Sequence, residues 1–430
     1  MHTSITSCNR KGYGIGNCDG HEVAIPFTFP GDVVEFERRG RRSGIWRGST
    51  STILTPSPHR VKAHCPYAGK CGGCPWQMFD YVAQLEQKRL LVTRMLDGID
   101  VPAIPAIRPA VETIYHRNRM DYFIGENAEL GLRALGTWWQ AVDLTECSMI
   151  SPTSNKLMSA FREWMNLSGA KPWNPRTHAG LLRYLVIREG KRTNERMVIL
   201  ITSPEELPSR AELIALLKPF TTSILLGVND SITDTSLAQS YTTLYGTDML
   251  REKLCNLTFS IPPNAFFQTN TPMAEQLIEI VRSLVPDRSN LIVDLYCGVG
   301  VFGITLAHRA ERVIGVEVEQ SAVEIAQANA RSNNVLNAEF VLAKSEAWPF
   351  PAERIDCLIV DPPRSGLHPR VVERIMMLRP EHIIYVSCGP HALARDLESL
   401  LQLYCADYIA CLDLFPHTPH VETVVRLKRK

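Results

Sequence analysis

The stretch that decides the fold is residues 291–300, Leu-Ile-Val-Asp-Leu-Tyr-Cys-Gly-Val-Gly. An apolar run of strand length ends at glycines, which permit a tight turn and let a ligand approach the backbone closely. Four further apolar runs follow at helix-length intervals, at residues 312–316, 338–341, 357–360 and 382–386. This alternation predicts an α/β domain with a doubly wound, mostly parallel sheet.

The ends of the first two runs predict a cofactor site. Glu317 directly follows the second run, where an acidic side chain can accept hydrogen bonds from a ribose diol. A nicotinamide dinucleotide is one candidate ligand, but glycine spacing alone is weak support for it. Asp361-Pro362-Pro363-Arg364 follows the fourth run and has no role in hydride transfer. This segment resembles the acidic loop that faces S-adenosylmethionine and the target base in methyltransferases, which favours a methyltransferase.

A cysteine and a late carboxylate extend this pattern. Cys388 directly follows the last apolar run, and Glu422 lies near the C-terminus. Uracil C5 is too weak a nucleophile to take a methyl group unaided, whereas a thiolate added at C6 activates it. A base then removes the C5 proton so that the thiolate can leave. In isolation each residue also fits an ordinary packed thiol or a solvated carboxylate, so the assignment depends on the ordered set of motifs.

Five motifs occur in the order seen in RNA 5-methyluridine (uracil-C5) methyltransferases, at residues 266–270, 294–298, 361–367, 387–388 and 415–422. The chain resembles this family throughout its C-terminal part, which implies S-adenosylmethionine as cofactor. The resemblance implies that Cys388 is the nucleophile and Glu422 the proton-abstracting base. Phe266 would stack near a flipped base. The implied cofactor and base pocket consists of Gln268, Tyr296, Gly298, Glu317 and Asp361.

The chain departs from the family's usual pattern near the nucleophile and the cofactor. Gly389 follows Cys388 where the family often has Asn, and Val301 stands where a polar residue is common. Residues 343–346, Ala-Lys-Ser-Glu, do not show the acid expected beside the adenine at its usual place. We expect cofactor affinity or pocket geometry to differ and the chemistry to be retained.

Residues 1–62 are rich in glycine and β-forming residues, which predicts a small β-barrel. The barrel resembles the TRAM domain of RNA-modifying enzymes, whose signature turn matches Pro30-Gly31-Asp32. A basic cluster at residues 38–42 fits either a solvated loop or a phosphate contact. We predict a TRAM-like barrel at 1–62, a central α+β domain at 63–262 and a methyltransferase domain at 263–430. A helix at about residues 80–100 would pack on the catalytic domain.

Cys65, Cys71 and Cys74 form a cluster among the twelve cysteines of the chain. The Cys-Gly-Gly-Cys turn brings two thiolates together, which suits an iron–sulfur cluster, and Cys147 is the best candidate for a fourth ligand. Zinc is the alternative because His64 is adjacent. Cluster-bearing members of the resembled family share this arrangement, which implies a [4Fe-4S] cluster with a structural or RNA-positioning role. Most other cysteines fit small buried thiols.

A base inside a helix cannot reach a buried thiol, so the target is single-stranded or flipped out. The barrel, with Arg117 and Arg119, would hold the RNA. A TRAM-like barrel with a cluster resembles the enzymes of bacterial 23S rRNA, and the tRNA T-loop is the second candidate, since archaeal tRNA enzymes carry a similar set. A non-catalytic iron–sulfur RNA-binding protein is the alternative of another class. Composition and the lack of a long apolar run predict a cytoplasmic monomer without membrane contact.

Overall fold

The computed structural model describes residues 1–351 and 353–430. Five strands begin the chain: β1 (His2–Cys8), β2 (Gly14–Cys18), β3 (His21–Ile25), β4 (Val33–Arg42) and β5 (Ile45–Thr55). They close into a barrel in the order β1-β2-β3-β5-β4. The predicted N-terminal β-barrel is therefore confirmed. Its small apolar core consists of Ile5, Cys18, Val23, Ile25, Val34 and Phe36.

The turn before β4 is fixed by a fully buried carboxylate. Asp32 accepts hydrogen bonds from the backbone N–H groups of Phe29 and Ser57, both at 2.8 Å. The guanidinium of Arg60 adds charge-assisted bonds to both carboxylate oxygens, at 2.7 and 2.8 Å. Satisfying a buried charge on all sides offsets its desolvation. Asp32 thereby joins the barrel to the chain that leaves it.

The central part of the chain contains a seven-stranded mixed sheet and a separate two-stranded hairpin. Its helices are α1 (Tyr81–Met95), α2 (Pro152–Ser168) and α3 (Arg210–Leu217). Its strands are β6 (Arg119–Ile124), β7 (Leu130–Arg133), β8 (Ala141–Asp143), β9 (Leu182–Glu189), β10 (Arg196–Thr202), β11 (Ser223–Val228), β12 (Ser240–Tyr245), β13 (Leu250–Leu254) and β14 (Leu257–Ile261). The sheet order is β12-β11-β10-β9-β6-β7-β8, and β13 pairs with β14.

The C-terminal part has the predicted doubly wound sheet. Its strands are β15 (Ser289–Leu295), β16 (Ala310–Glu317), β17 (Ala338–Leu342), β18 (Cys357–Val360), β19 (His382–Ser387), β20 (Tyr404–Leu412) and β21 (Glu422–Arg429). Its helices are α4 (Thr271–Leu284), α5 (Val301–Leu306), α6 (Gln320–Ser332), α7 (Pro369–Leu378) and α8 (Pro390–Leu400). The order is β17-β16-β15-β18-β19-β21-β20, parallel through β19 and antiparallel at β21 and β20. Every predicted strand lies within one of these elements.

Helix α1 packs on this sheet although it belongs to the central part of the chain. Val92 and Leu96 are buried in one apolar cluster with Leu358 of β18 and Leu397 of α8. The same helix buries Lys88 against the segment that leads to β21. In the ranges described, no helix is both long enough and apolar enough to cross a membrane.

Candidate active site

The sheet order brings five predicted site residues to one edge. Glu317 ends β16, while Tyr296, Asp361 and Cys388 directly follow β15, β18 and β19. Glu422 begins β21, whose antiparallel direction returns it to that edge beside β19. Neighbouring strands are roughly 4.8 Å apart, so the strands of Glu317 and Cys388 are separated by roughly 14 Å. Candidate cofactor residues therefore lie at one end of the row, and the thiol with its carboxylate at the other.

The thiol and the carboxylates influence one another's ionisation. Burial, followed by the negative charge of Glu422, raises the pKa of Cys388 to about 11. Glu422 is 2% exposed, and its burial together with the charge of Asp361 raises its pKa well above the usual range. Burial also raises the pKa of Asp361 to about 7, against a hydrogen bond from Gln268. At neutral pH the resting thiol is therefore neutral, and the environment of Glu422 favours its protonated form.

Two residues that we did not predict as site residues belong to this group. The cation of Arg364 lowers the pKa values of both Cys388 and Glu422, opposing the effect of burial. His420 lies on the same cleft, and burial followed by the charge of Arg364 lowers its pKa to about 3, so its ring is neutral. Arg364 lies within a motif that marked the site, and that motif was the available signal.

Gly389 gives the Arg364 backbone room beside the nucleophile. A Cβ atom at position 389 would stand 3.0 Å from the backbone oxygen of Arg364, closer than such contacts normally allow. The departure from the family's usual Asn therefore accompanies a close approach of these two segments. Gly389 is also the residue directly before α8, and its N–H donates to the Ser387 hydroxyl at 3.1 Å.

An open cleft of about 730 Å³ connects Cys388 with the barrel. Its lining includes Arg117 and Arg364 as well as Lys11 of the barrel. A neighbouring cleft of about 620 Å³ shares Arg117 and is lined by Arg119 and Phe266. Phe266 is 66% exposed. The structure thus brings Arg117 to the cleft of the thiol, and places Arg119 and Phe266 on the adjoining one.

Asn118, which lies between Arg117 and Arg119, holds the loop at residues 266–270 in place. Asn118 donates from its side chain to the backbone oxygen of Gln268 at 2.9 Å and to the hydroxyl of Thr271 at 3.0 Å. Gln268 in turn donates to Asp361 at 3.4 Å. The loop at residues 266–270 is therefore fixed between the central sheet and the edge that bears Asp361.

At the other end of the row, Glu317 organises the glycine turn after β15. One carboxylate oxygen accepts the N–H of Gly298 at 3.0 Å, and the other accepts those of Val318 and Glu319 at 2.7 and 3.1 Å. A carboxylate has about four acceptor positions, so capacity remains for a ligand hydroxyl. The geometry fits the predicted contact with a ribose diol.

Asp294 is a further residue of this region that we did not predict as a site residue. It is fully buried, and one oxygen accepts the N–H of Gly303 at 2.9 Å. The other oxygen has no hydrogen-bond partner among the described residues. Burial raises the pKa of this carboxyl to about 8. An unpartnered buried polar atom beside the glycine turn fits a bound polar ligand, since such atoms are costly to leave unpaired.

The four predicted cluster cysteines line one small pocket: Cys65, Cys71, Cys74 and Cys147. Burial raises the pKa of Cys71 to about 11, and it also raises the pKa values of Cys74 and Cys147. The N–H of Gly73 points to the Cys71 sulfur at 3.4 Å. Across residues 1–351 and 353–430, however, no three His, Cys, Asp or Glu side chains are arranged to hold a metal ion. The thiols therefore converge as predicted, but the predicted iron–sulfur cluster is not confirmed.

Comparison with known proteins supports the resemblance along the whole chain. The family model described as tRNA (uracil-5-)-methyltransferase matches residues 240–350 and 349–430. The model described as the TRAM domain of tRNA (uracil(54)-C(5))-methyltransferase matches residues 1–59. The tRNA (uracil(54)-C(5))-methyltransferase of Pyrococcus horikoshii is 38% identical over 428 residues, covering 99% of this chain and all of the relative.

Two further proteins are similar over nearly the full length. An uncharacterized RNA methyltransferase of Nanoarchaeum equitans is 37% identical over 434 residues, covering 100% of this chain and 93% of that protein. The crystal structure of Pyrococcus abyssi tRNA (uracil-54, C5)-methyltransferase in complex with S-adenosyl-L-homocysteine superposes with a TM-score of 0.82 at 36% identity, covering 99% of this chain and 100% of that one. The chain belongs to the tRNA (uracil-5-)-methyltransferase family, the RNA uracil-C5 methyltransferases, and carries an N-terminal TRAM domain.

Proposed function

We propose that this protein transfers a methyl group from S-adenosylmethionine to C5 of a uridine in tRNA, and that the uridine is number 54. The observation that carries the proposal is the juxtaposition of the buried Glu422 with Cys388, which lines the open cleft, in a chain of this family. Full-length similarity to tRNA (uracil(54)-C(5))-methyltransferases supports the choice of substrate.

The sequence motifs led us to favour 23S rRNA and to place tRNA second. That preference rested on the combination of a TRAM-like barrel with a cysteine cluster. The barrel of this chain matches the TRAM domain of tRNA uracil-54 enzymes, so the barrel does not indicate rRNA. The similarity therefore favours the tRNA alternative, and rRNA becomes an outcome that the substrate test decides.

The cofactor residues that we predicted fit S-adenosylmethionine. Glu317 has acceptor capacity for the ribose, and the unpartnered oxygen of Asp294 lies beside the glycine turn with Gly298. We propose that these residues, with Tyr296 and the Gln268–Asp361 pair, hold the cofactor and orient it toward the base. Bound there, S-adenosylmethionine would supply an electrophilic methyl group. A solved relative carries S-adenosyl-L-homocysteine, the product form of this cofactor.

The chemistry of the chain's own residues follows from their charges. Cys388 loses its proton to solvent and its sulfur bonds to C6, which makes C5 nucleophilic. The nearby cation of Arg364 favours the thiolate, since it lowers the pKa of Cys388 against burial. After C5 has been methylated, Glu422 takes the C5 proton, the C5–C6 double bond forms again and the thiolate leaves. The raised pKa of Glu422 makes its ionised form a strong base for that step.

We further propose that Cys65, Cys71, Cys74 and Cys147 hold a [4Fe-4S] cluster. Their shared pocket supports this, because each ligand of such a cluster binds a different iron, and the thiols then stand further apart than the ligands of one ion. The N–H of Gly73 aimed at Cys71 fits a thiolate sulfur. Iron and sulfide should be present in anaerobically purified protein and fall in Cys74→Ala. The exposed Cys405 provides the control variant, Cys405→Ala, which should keep both.

The mechanism is tested with RNA that contains 5-fluorouridine, because fluorine cannot be removed as a proton. Wild-type protein with the methyl donor should form a covalent complex with the RNA, whereas Cys388→Ala should form none. Cys405→Ala should behave as wild type. A complex that persists in Cys388→Ala, or none in wild type, would contradict the mechanism. If the protein transfers no methyl group to any RNA, the alternative of a non-catalytic RNA-binding protein is favoured.

The substrate is tested by mapping the methylated uridine. Unmodified tRNA transcripts with uridine or cytidine at position 54 are compared with 23S rRNA fragments under the same conditions. Methylation confined to the transcript with uridine 54 is the expected result. Methylation of rRNA with tRNA left unmodified would restore the first sequence prediction.

A further inference from the structure

Two adjacent tryptophans stand exposed at the tip of the β7–β8 hairpin. Trp138 and Trp139 are 53% and 49% exposed, and their rings meet edge to face with centroids 5.7 Å apart. Exposing two large aromatic faces side by side is unusual, because burying such rings is strongly favourable. Neither ring has a role in the proposed chemistry. Their exposure points to a partner that covers them.

The loop that carries Cys71 and Cys74 makes backbone hydrogen bonds to the β7–β8 hairpin. The N–H of Gly72 donates to the backbone oxygen of Arg133 at 2.9 Å, and that of Leu135 donates to Lys70 at 3.3 Å. Cys71 and Ala134 form an isolated β-bridge. The tryptophans are therefore presented on a supported backbone.

The barrel supports the hairpin from the other side. Gly136 has φ +85°, and a Cβ atom there would stand 3.2 Å from the Tyr13 hydroxyl and 3.4 Å from the Arg47 guanidinium. The loop thus lies against the barrel surface. It also borders both clefts, because Leu135 lines each of them.

The barrel surface beside the hairpin is strongly basic. Lys11 has a lowered pKa, caused first by burial and then by the positive charges of Arg42, Arg47 and Arg10. In the described chain none of these four side chains forms an ion pair. Arg10 and Lys11 also line the cleft that reaches Cys388. Four uncompensated cations next to two exposed rings complement a polyanion that carries aromatic bases.

We propose that Trp138 and Trp139 form a stacking surface for unpaired bases of the RNA substrate outside the catalytic pocket. The barrel cations Arg10, Lys11, Arg42 and Arg47 contact the phosphates of the same strand. Stacking tolerates any base, so this surface adds affinity and orients the strand toward the cleft. The inference rests on the proposed RNA substrate and assigns a second contact to it.

The test measures RNA binding and methyl transfer separately in the full-length protein. Trp138→Ala/Trp139→Ala removes the rings, and Trp138→Phe/Trp139→Phe keeps aromatic faces. Met377→Ala, at an exposed apolar residue of α7, is the matched surface control. The alanine pair should raise the Kd for tRNA by roughly 5- to 150-fold, the effect of one stacked base. The phenylalanine pair and Met377→Ala should bind nearly as wild type, and the single-turnover rate at saturating tRNA should stay unchanged.

Salt dependence separates stacking from phosphate contact. The alanine pair should keep the wild-type slope of log Kd against log salt, whereas Arg47→Gln should lower that slope by about one contact. An unchanged Kd in the alanine pair overturns the inference, as does an equal loss in the phenylalanine pair. A smaller particle mass for the alanine pair in light scattering also overturns it, because the rings would then join two copies. If wild type methylates no RNA, the proposed function fails, whatever the tryptophan variants do.

Discussion

Replacing Lys88 by methionine tests how the segment before Glu422 is held. The Lys88 ammonium donates to Asp413 at 2.5 Å and to the backbone oxygen of Phe415 at 3.0 Å. Both side chains of this ion pair are 0% exposed. Burial lowers the pKa of Lys88, and the charge of Asp413 opposes that effect. Lys88→Met keeps most of the length of the side chain and leaves Asp413 buried without its cation.

The expected cost follows from the groups that remain around Asp413. Removing one partner of a buried pair typically costs about 3–5 kcal/mol, because the other charge stays buried. Asp413 still accepts the Tyr81 hydroxyl at 2.9 Å and the N–H of Phe415 at 3.0 Å, which favours the lower end of that range. For a domain of this size a loss of about 3 kcal/mol lowers the melting temperature by about 6–12 °C.

Thermal unfolding followed by circular dichroism measures the effect, with Arg89→Met as the matched control. Arg89 is the next residue of the same helix and pairs with Glu86 on the surface, where an ion pair contributes at most about 1 kcal/mol. We expect the control to melt close to wild type. Equal melting temperatures for Lys88→Met and Arg89→Met would refute the idea that the buried pair secures this segment.

Three further changes act on the active site itself. Glu422→Gln should form the covalent RNA complex at least as fast as wild type, because the charge that raises the pKa of Cys388 is gone. It should release the methylated RNA roughly 10²–10⁴-fold more slowly, since the base that removes the C5 proton is missing. Gel analysis of the complex over time measures both rates, and ready turnover would contradict the role of Glu422. Arg364→Met should raise the pKa of Cys388, so the rate of adduct formation at pH 8 should fall and the increase of that rate with pH should move to higher pH. The fall should be less than about tenfold, because the charge of an exposed cation is screened. An unchanged pH–rate profile would show that Arg364 does not lower the pKa of the thiol. Gly389→Asn pushes against the Arg364 backbone and should slow adduct formation in the same direction, whereas a faster reaction would contradict the close approach.

The sequence was most informative where periodicity and strand order decide position. Alternating apolar runs specified the parallel strands, and parallel strands bring their carboxyl ends to one edge. Asp361, Cys388 and Glu317 could therefore be placed together without any contact being known. Glycine spacing was less decisive: Gly298, Gly300 and Gly303 have the Gly-x-Gly-x-x-Gly spacing that dinucleotide sites also use, so the glycines alone left the cofactor open.

Long-range polar contacts were beyond sequence reasoning. Gln84 and Lys88 look like surface residues of an amphipathic helix, yet both are fully buried, and both bond to residues 413–417, more than three hundred positions later. Val82 of the same helix is apolar and 73% exposed. The choice between rRNA and tRNA was equally inaccessible, because barrel and cysteine motifs describe how RNA is held and carry no information on which RNA enters.

The position of the cysteine pocket fits the structural role that we propose for it, because the proposed methyl transfer is not a redox reaction. Arg117 donates its N–H to the backbone oxygen of Met149, beside that pocket, at 2.9 Å, and its charge lowers the pKa values of Cys74 and His420. The next residue, Asn118, holds the loop of Gln268. A cluster bound by these thiols would therefore fix the backbone that shapes one wall of the cleft and supports the tryptophan hairpin. Loss of the cluster should therefore weaken RNA binding more than it slows methyl transfer, which would link the cysteines to the placement of the substrate.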